Sequence, residues 1–286
     1  MCSRTPPLLL LGALLGLAGC GGPRVTALDT CIAEHSDAAT ARILPVCVNT
    51  EEGPMPTDGE YIAGVVECEL GWLAKYPAAL MAQAVAARTY LAAYLDRKGP
   101  RAEVPIGAHF QCWRHPTKDR SRIAAEATAD IVLHYQATLI NGNYVSGARK
   151  LGDDCTALPP TESGYRHRSW EQMRDDYLAW RARGKRRPYS GIYWTEVLVT
   201  RNAGRSGEAV EGTLFASPGP KNRGALGQYA AACLAEKGYD TQAILKYFYG
   251  EDIAFSRALP DVEPAGLSPL EEDLPELDIP ISMNLR

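Results

Sequence analysis

A long alanine-rich stretch in the first third of this 286-residue chain constrains the fold more than any other feature. Tyr76-Pro77 opens the stretch and Gly99-Pro100 closes it. Proline is tolerated in the first turn of a helix, and a Gly-Pro pair ends one. The pattern therefore predicts a single helix over 77–98, which is thin because of its many alanines and lets neighbouring elements approach closely. Its apolar stripe is Leu80, Ala84, Ala87, Leu91 and Leu95.

A shorter helix is predicted over 60–70, and its apolar stripe ends in an acid. Glu69 continues the stripe of Ile62, Val65 and Val66 at spacings of three and four. A carboxyl held against apolar side chains is partly desolvated, which raises its pKa toward the range where it donates a proton at neutral pH. The alternative is a surface acid that pairs with Lys75. Two further acids, Glu60 and Glu67, lie off the stripe and are interpreted as ordinary surface residues.

The rest of the chain alternates short helices with short strands. Helices are predicted at 123–128, 170–183, 228–238 and 241–249. Strands are predicted at 131–133, 138–140, 144–145, 194–200 and 210–215. The expected fold class is α+β, with the two early helices packed on short, mostly antiparallel strands.

The expected domain organisation has four parts. A signal peptide at 1–19 is followed by an irregular leader at 20–56 and a folded domain at 57–256, which contains a polar insertion at 151–190. The tail at 257–286 is rich in proline and acidic residues, so it is expected to be extended or disordered.

The N-terminus indicates export. Arg4 precedes an apolar run over 8–18, which is too short to span a bilayer comfortably, and Leu17-Ala18-Gly19-Cys20 follows. The last four residues resemble a bacterial lipobox, which predicts that Cys20 is lipidated. The alternative is an ordinary cleaved signal with a chance cysteine. Because no acidic residue follows Cys20, we expect a lipid anchor in the outer membrane, with the protein facing the periplasm.

Cysteine usage agrees with an oxidising compartment. Of the 8 cysteines, Cys2 leaves with the signal and Cys20 takes lipid, so six remain for up to three disulfides. Cys31 and Cys47 form a plausible pair. The rival reading is a zinc site at His109, Cys112 and His115, but no second ligand pair accompanies them. We therefore expect no metal and no other cofactor.

The charge balance argues against nucleic acid as a partner, because the formal net charge is -4. Two basic clusters, 166–168 and 181–187, are local. Solvated surface is the simpler interpretation of both, and a polyanion site is the alternative.

The two predicted early helices carry a recognisable signature. Residues 60–70 (Glu-Tyr-Ile-Ala-Gly-Val-Val-Glu-Cys-Glu-Leu) and 82–90 (Ala-Gln-Ala-Val-Ala-Ala-Arg-Thr-Tyr) closely resemble the opening motif of the SpoIID/LytB family. Weaker similarity continues through 144–147 and through the closing segment that begins at Gly227-Gln228-Tyr229. The resemblance implies a SpoIID-like domain with a groove that binds glycan.

The resemblance also implies an activity and a site. Enzymes of this family cut the glycan strands of peptidoglycan as lytic transglycosylases, and Glu69 aligns with their single general acid/base. The residues expected to bind substrate or shape the groove are Gln83, Arg88, Ser146, Asn222 and Gln228. A structural role is the alternative for Gln83, Arg88 and Gln228, because buried amide and guanidinium groups also form hydrogen bonds with backbone atoms.

The closing segment departs from the family pattern. A histidine of the family motif has no counterpart here, and Asn222 or Arg223 occupies its place. Three functions therefore stay open: a transglycosylase that uses Glu69, a peptidoglycan-binding module that enhances a separate cell-wall amidase, and an envelope scaffold. Retention of Glu69 favours the first, because a binder has no need of a costly half-buried acid.

Overall fold

A computed structural model describes residues 25–36, 42–73, 75–107, 110–116, 118–162, 169–184, 192–260, 264, 266 and 267. The predicted signal peptide, the lipidation site Cys20, the basic cluster 166–168, His109 and most of the tail lie outside these residues. Within the described part, no helix is both long and apolar enough to cross a membrane.

The segment that precedes the predicted domain is not irregular, contrary to the expectation from its sequence. Helix α1 (Ala27–His35) is followed by strands β1 (Cys47–Thr50) and β2 (Gly53–Pro56), which pair antiparallel. Val48 and Met55 lie in the main hydrophobic core. The turn-forming residues of this segment close a β-hairpin whose apolar side chains reach the core.

The two early helices form as predicted. A π-helical turn (Thr57–Ile62) leads into α2 (Ala63–Glu69), and α3 spans Pro77–Lys98. Most of α3 is buried, because α2, α4, α6 and α7 all pack on it. Its small side chains permit these close approaches.

Short strands and helices surround α3. Strand β3 (Glu103–Val104) adds to β1 in parallel, and α4 (Asp119–Ala127) follows. The next three strands are β4 (Leu133–Tyr135), β5 (Thr138–Leu139) and β6 (Asn143–Val145). The C-terminal elements are α5 (Trp170–Ala182), β7 (Ala225–Gly227), α6 (Gln228–Glu236), α7 (Thr241–Tyr249) and β8 (Ala254–Phe255).

The sheets are small and mixed. Strand β4 pairs antiparallel with both β5 and β8, whereas β6 pairs in parallel with β7. The expected α+β fold is therefore confirmed. The β6–β7 pair matters most for the site, because β7 leads directly into α6 and thereby fixes the position of Gln228.

Two predicted strands are wrong. Residues Ile192–Leu198 form a 3₁₀ helix, and 210–215 form a loop. The alternating β-branched residues predicted a strand, but the side chains of Thr195 and Glu196 accept hydrogen bonds from the loop that follows β6. Thr195 Oγ1 accepts a hydrogen bond from the Gly147 N–H at 3.0 Å, and the Glu196 carboxylate accepts one from Ala148 N–H at 2.7 Å. A 3₁₀ helix, and not a strand, thus positions these two side chains against that loop.

All six cysteines expected in the mature chain are paired. The disulfides are Cys31–Cys47, Cys68–Cys112 and Cys155–Cys233. The expected pairing of Cys31 with Cys47 is confirmed. It joins α1 to the start of β1, while the other two disulfides join segments distant in sequence.

Candidate active site

Glu69 is the last residue of α2, and two neutral donors from the described part of the chain hold its carboxylate. The backbone N–H of Cys112 donates to Oε1 at 2.8 Å, and the Gln228 side-chain amide donates to Oε2 at 3.1 Å. The donors come from the loop after β3 and from the first residue of α6. Three segments distant in sequence therefore converge on one partly buried carboxyl.

Gln83 extends this arrangement into the core. The same Gln228 amide nitrogen donates to Gln83 Oε1 at 3.4 Å, and both glutamine side chains are buried. Among the described residues, Gln83 Nε2 has no hydrogen-bond partner. Gln83 thus presents its oxygen to Gln228, while its amide nitrogen is a buried donor without a partner among these residues.

The environment of Glu69 favours its protonated form. Burial raises the pKa of the Glu69 carboxyl, and the hydrogen bonds from Gln228 and from the Cys112 backbone lower it by less. Desolvation penalises the charged form of any acid, whereas donors to the carboxylate stabilise that form. The net result is a carboxyl suited to donate a proton and, as an anion, to be held in place by two donors.

A network of neutral polar groups lies next to this carboxyl. Tyr61 Oη donates to Gln111 Oε1 at 3.0 Å, and Gln111 Nε2 donates to Tyr144 Oη at 2.9 Å. Burial raises the pKa of both phenols, and the nearby negative charge of Glu69 raises it further. The phenols therefore stay uncharged at any pH where the site would work. Gln111 and these roles of the tyrosines were not predicted from the sequence, because the contacts join residues far apart in the chain.

The Cys68–Cys112 disulfide links the chain next to Glu69 to the residue that donates a hydrogen bond to it. Cys68 precedes Glu69 on α2, and Cys112 supplies the N–H that Glu69 accepts. The cross-link thus fixes the acceptor and its backbone donor relative to each other. Cys112 is covalently occupied, so its thiolate is not available to the zinc site considered from the sequence.

Glu67 is placed differently from the expectation, and it is not a surface residue. Its side chain is buried under α4, where Ser121 Oγ donates to Oε2 at 2.7 Å and Lys118 Nζ lies 3.6 Å from Oε1. A hydroxyl and a cation therefore compensate this carboxylate. Its position off the apolar stripe therefore did not reveal that Glu67 is buried.

Arg88 lies in the same helix as Gln83 but serves another part of the fold. Its guanidinium is buried and pairs with Asp58 at 2.7 Å. It also donates to the carbonyl of Ala125 at 2.7 Å and to that of Ile131 at 3.4 Å. These contacts are those of a residue that satisfies backbone atoms at the end of α4, and a contact with substrate stays a prediction.

The two remaining predicted site residues lie on loops. Ser146 follows β6, and its carbonyl accepts a hydrogen bond from the Tyr229 N–H at 3.2 Å, which places Ser146 beside the start of α6. The Asn222 side chain accepts from Thr213 N–H and donates to Thr213 C=O, both at 2.9 Å. Asn222 thereby closes its own loop. Substrate contacts of both residues stay predictions.

Arg223 is the other residue that stands where the family motif has a histidine, and its side chain contacts other residues of the fold. Its guanidinium is buried, forms an ion pair with Asp252 and lies 3.8 Å above the ring of Tyr135. The cation therefore ties the loop before β7 to the segment after α7.

One cluster of metal-ligand residue types occurs in the described part of the chain. It comprises Cys31, His35 and Cys47, with His35 Nδ1 about 4 Å from both sulfur atoms. Both cysteines are bonded to each other, so the cluster offers one imidazole rather than three ligands in this state.

Comparison with known proteins supports the resemblance noted from the sequence. Residues 55–135 match the model of the SpoIID family, described as Stage II sporulation protein. The match spans α2, α3 and α4, and so contains Glu69, Gln83 and Arg88, while Gln228 lies beyond it. The recognition of SpoIID-type sequence is thereby confirmed over these residues, and it suggests a cell-wall-related role. No curated protein matches the chain.

Proposed function

We propose that this chain cleaves the glycan strands of peptidoglycan as a lytic transglycosylase, with Glu69 as its single general acid/base. The observation that carries the proposal is the setting of Glu69, whose pKa is raised by burial while two neutral donors hold its oxygens. The match of residues 55–135 to the SpoIID family supports the choice of substrate.

The proposed reaction has two proton transfers at one carboxyl. Protonated Glu69 gives its proton to the glycosidic oxygen as the bond between that oxygen and C1 of the sugar breaks. The carboxylate then takes the proton of the C6 hydroxyl of the same sugar, whose oxygen bonds to C1. The products are a shortened strand and a 1,6-anhydro sugar. No water is consumed, and Glu69 ends protonated as it began.

The residues around Glu69 have distinct tasks in this scheme. The Gln228 amide and the Cys112 N–H stabilise the carboxylate between the two transfers without adding a positive charge that would suppress its basicity. Gln83 orients the Gln228 amide through its oxygen. The uncharged phenols of Tyr61 and Tyr144 keep the pocket neutral.

We place the reaction in the cell envelope. The lipobox-like residues that end at Cys20 support a lipid anchor, with the domain facing the periplasm. The three disulfides agree with an oxidising compartment.

A second candidate is a module that holds glycan for a separate amidase. The observation in its favour is the closing segment, where Arg223 is committed to Asp252 and no imidazole is available. Such a module would need the groove but not the proton donor.

The test compares the full chain with its Glu69→Gln variant on peptidoglycan, both intact and stripped of stem peptides. We expect 1,6-anhydro products from the parent, detected by mass spectrometry, and a loss of at least about a thousandfold in the variant, because an amide cannot donate the proton. Glu60→Gln, on the turn that leads into α2, is the matched control and should cleave like the parent.

Absence of anhydro products from the parent on both substrates would exclude the transglycosylase. Retained binding to sacculi in that case would support the amidase-enhancing module.

A further inference from the structure

A cavity outside the Glu69 site is lined in part by residues of α3, and the proposed reaction does not use it. Its volume is about 610 Å³, and its lining includes Tyr90, Arg97, Asn141, Phe215 and Ser217. Sites for small molecules commonly begin at about 300 Å³, so the space is ample for a sugar ring. The cavity lies between the C-terminal half of α3 and the loop 215–222.

Ring contacts connect this cavity to Glu69. Gln111, which precedes the Cys112 whose N–H donates to Glu69, donates its amide to the Tyr144 hydroxyl at 2.9 Å. The Tyr144 ring lies 6.3 Å from that of Tyr90, edge to face. Phe110 packs against Tyr90 at 5.0 Å. Tyr90 then forms part of the cavity wall. A row of aromatic side chains therefore leads from the proposed acid/base to the cavity.

The walls of the cavity are held by contacts outside it. The Asn141 N–H donates to the Lys221 carbonyl at 2.8 Å, and Lys221 Nζ pairs with Asp96 at 3.1 Å. Asn222 closes the same loop through Thr213. The loop is thus tied to α3, to the segment before β6 and to itself, so the cavity is built into the fold.

Four of the polar side chains that line the cavity are uncommitted, whereas those of Asn143, Lys221 and Asn222 are engaged elsewhere. Within the described part of the chain, the side chains of Tyr90, Asn141, Arg97 and Ser217 have no hydrogen-bond or ion-pair partner. Two aromatic rings, those of Tyr90 and Phe215, lie among them. This combination suits a pyranose, which presents apolar C–H faces to rings and a rim of hydroxyl and amide groups to donors and acceptors.

We infer that this cavity is a saccharide subsite that binds another sugar of the strand cleaved at Glu69. The inference rests on the proposed function for the identity of the strand. It assigns Phe215 and Tyr90 as the apolar contacts, and Tyr90 Oη and the Asn141 amide as hydrogen-bonding groups. None of these groups takes part in the proton transfers, so their contribution is measured directly as binding affinity.

Binding is measured in the full chain carrying Glu69→Gln, which cannot cut, by calorimetry with soluble glycan strands stripped of stem peptides. In this background, Phe215→Ala should weaken binding about tenfold through lost ring contact. Tyr90→Phe should weaken it about threefold through one lost hydrogen bond. The matched control is Tyr94→Phe, on the same helix, whose hydroxyl donates to the Glu103 carbonyl instead; its affinity should equal that of the background protein.

The outcomes separate this inference from the proposed function. Weaker binding in both cavity variants supports the subsite even where the parent forms no anhydro product. If the parent forms anhydro products and the cavity variants bind like Tyr94→Phe, the subsite is excluded while the transglycosylase stands. Failure of the background protein to bind any strand also overturns the subsite.

Discussion

At the scale of single residues, the protonation of Glu69 is a balance between burial and two donors. Burial raises the pKa of the carboxyl, and the Gln228 amide opposes that rise. Replacing Gln228 by alanine removes a bond that only the carboxylate form gains, so the pKa of Glu69 should rise further. Because the first proton transfer needs protonated Glu69, the alkaline limb of kcat against pH should move to higher pH. The maximal kcat should fall about tenfold, since a carboxylate that lacks one donor is held less well.

The check is the pH profile of kcat for Gln228→Ala beside Gln242→Ala, an exposed glutamine on α7 that should leave the profile unchanged. A limb that stays in place, or moves to lower pH, would show that Gln228 does not act on the carboxylate.

At the scale of elements, Arg88 joins α3 to the end of α4. The guanidinium is 1% exposed, pairs with Asp58 and donates to backbone carbonyls, including that of Ala125. Removing one partner of a buried ion pair leaves an uncompensated charge and unsatisfied carbonyls. We therefore expect Arg88→Met to lower the free energy of unfolding by about 3–5 kcal/mol, measured by urea denaturation.

Arg97→Met provides the comparison, because Arg97 lies on the same helix but is exposed. Its effect on the free energy of unfolding should stay within about 0.5 kcal/mol. Equal effects of the two substitutions would contradict the structural role of Arg88.

At the scale of the whole molecule, the disulfides differ in what they hold. Cys68–Cys112 closes a separation of 44 residues beside Glu69, whereas Cys31–Cys47 closes 16 residues in the N-terminal segment. Replacing either pair by serine should lower the free energy of unfolding by about 2–4 kcal/mol. Only the Cys68→Ser/Cys112→Ser variant should also lower kcat, by about tenfold, because the Cys112 N–H would no longer be held against Glu69.

Activity is compared well below the unfolding temperature of both double variants, so that stability does not enter the rate. An equal loss of kcat in both would attribute the effect to general loosening. An unchanged kcat in the Cys68→Ser/Cys112→Ser variant would show that other contacts position the donor.

The sequence predicted those elements whose signals are local. Proline and Gly-Pro bounded α3, and periodicity located α5 and α7. The same reasoning failed over 194–200, where β-branched alternation predicted a strand. The side chains of Thr195 and Glu196 bond to the loop after β6, and no local pattern reveals that partner.

The sequence by itself determined that a carboxyl at 69 continues an apolar stripe, and that a thin helix follows it. Both depend on spacings of three and four residues, which a helix converts directly into a shared face. Only the tertiary structure decided what surrounds that carboxyl. Gln228 lies 159 residues away from Glu69 in the chain, and Cys112 lies 43 away. Such contacts depend on how α6 and the loop after β3 pack on α3, which no local spacing encodes.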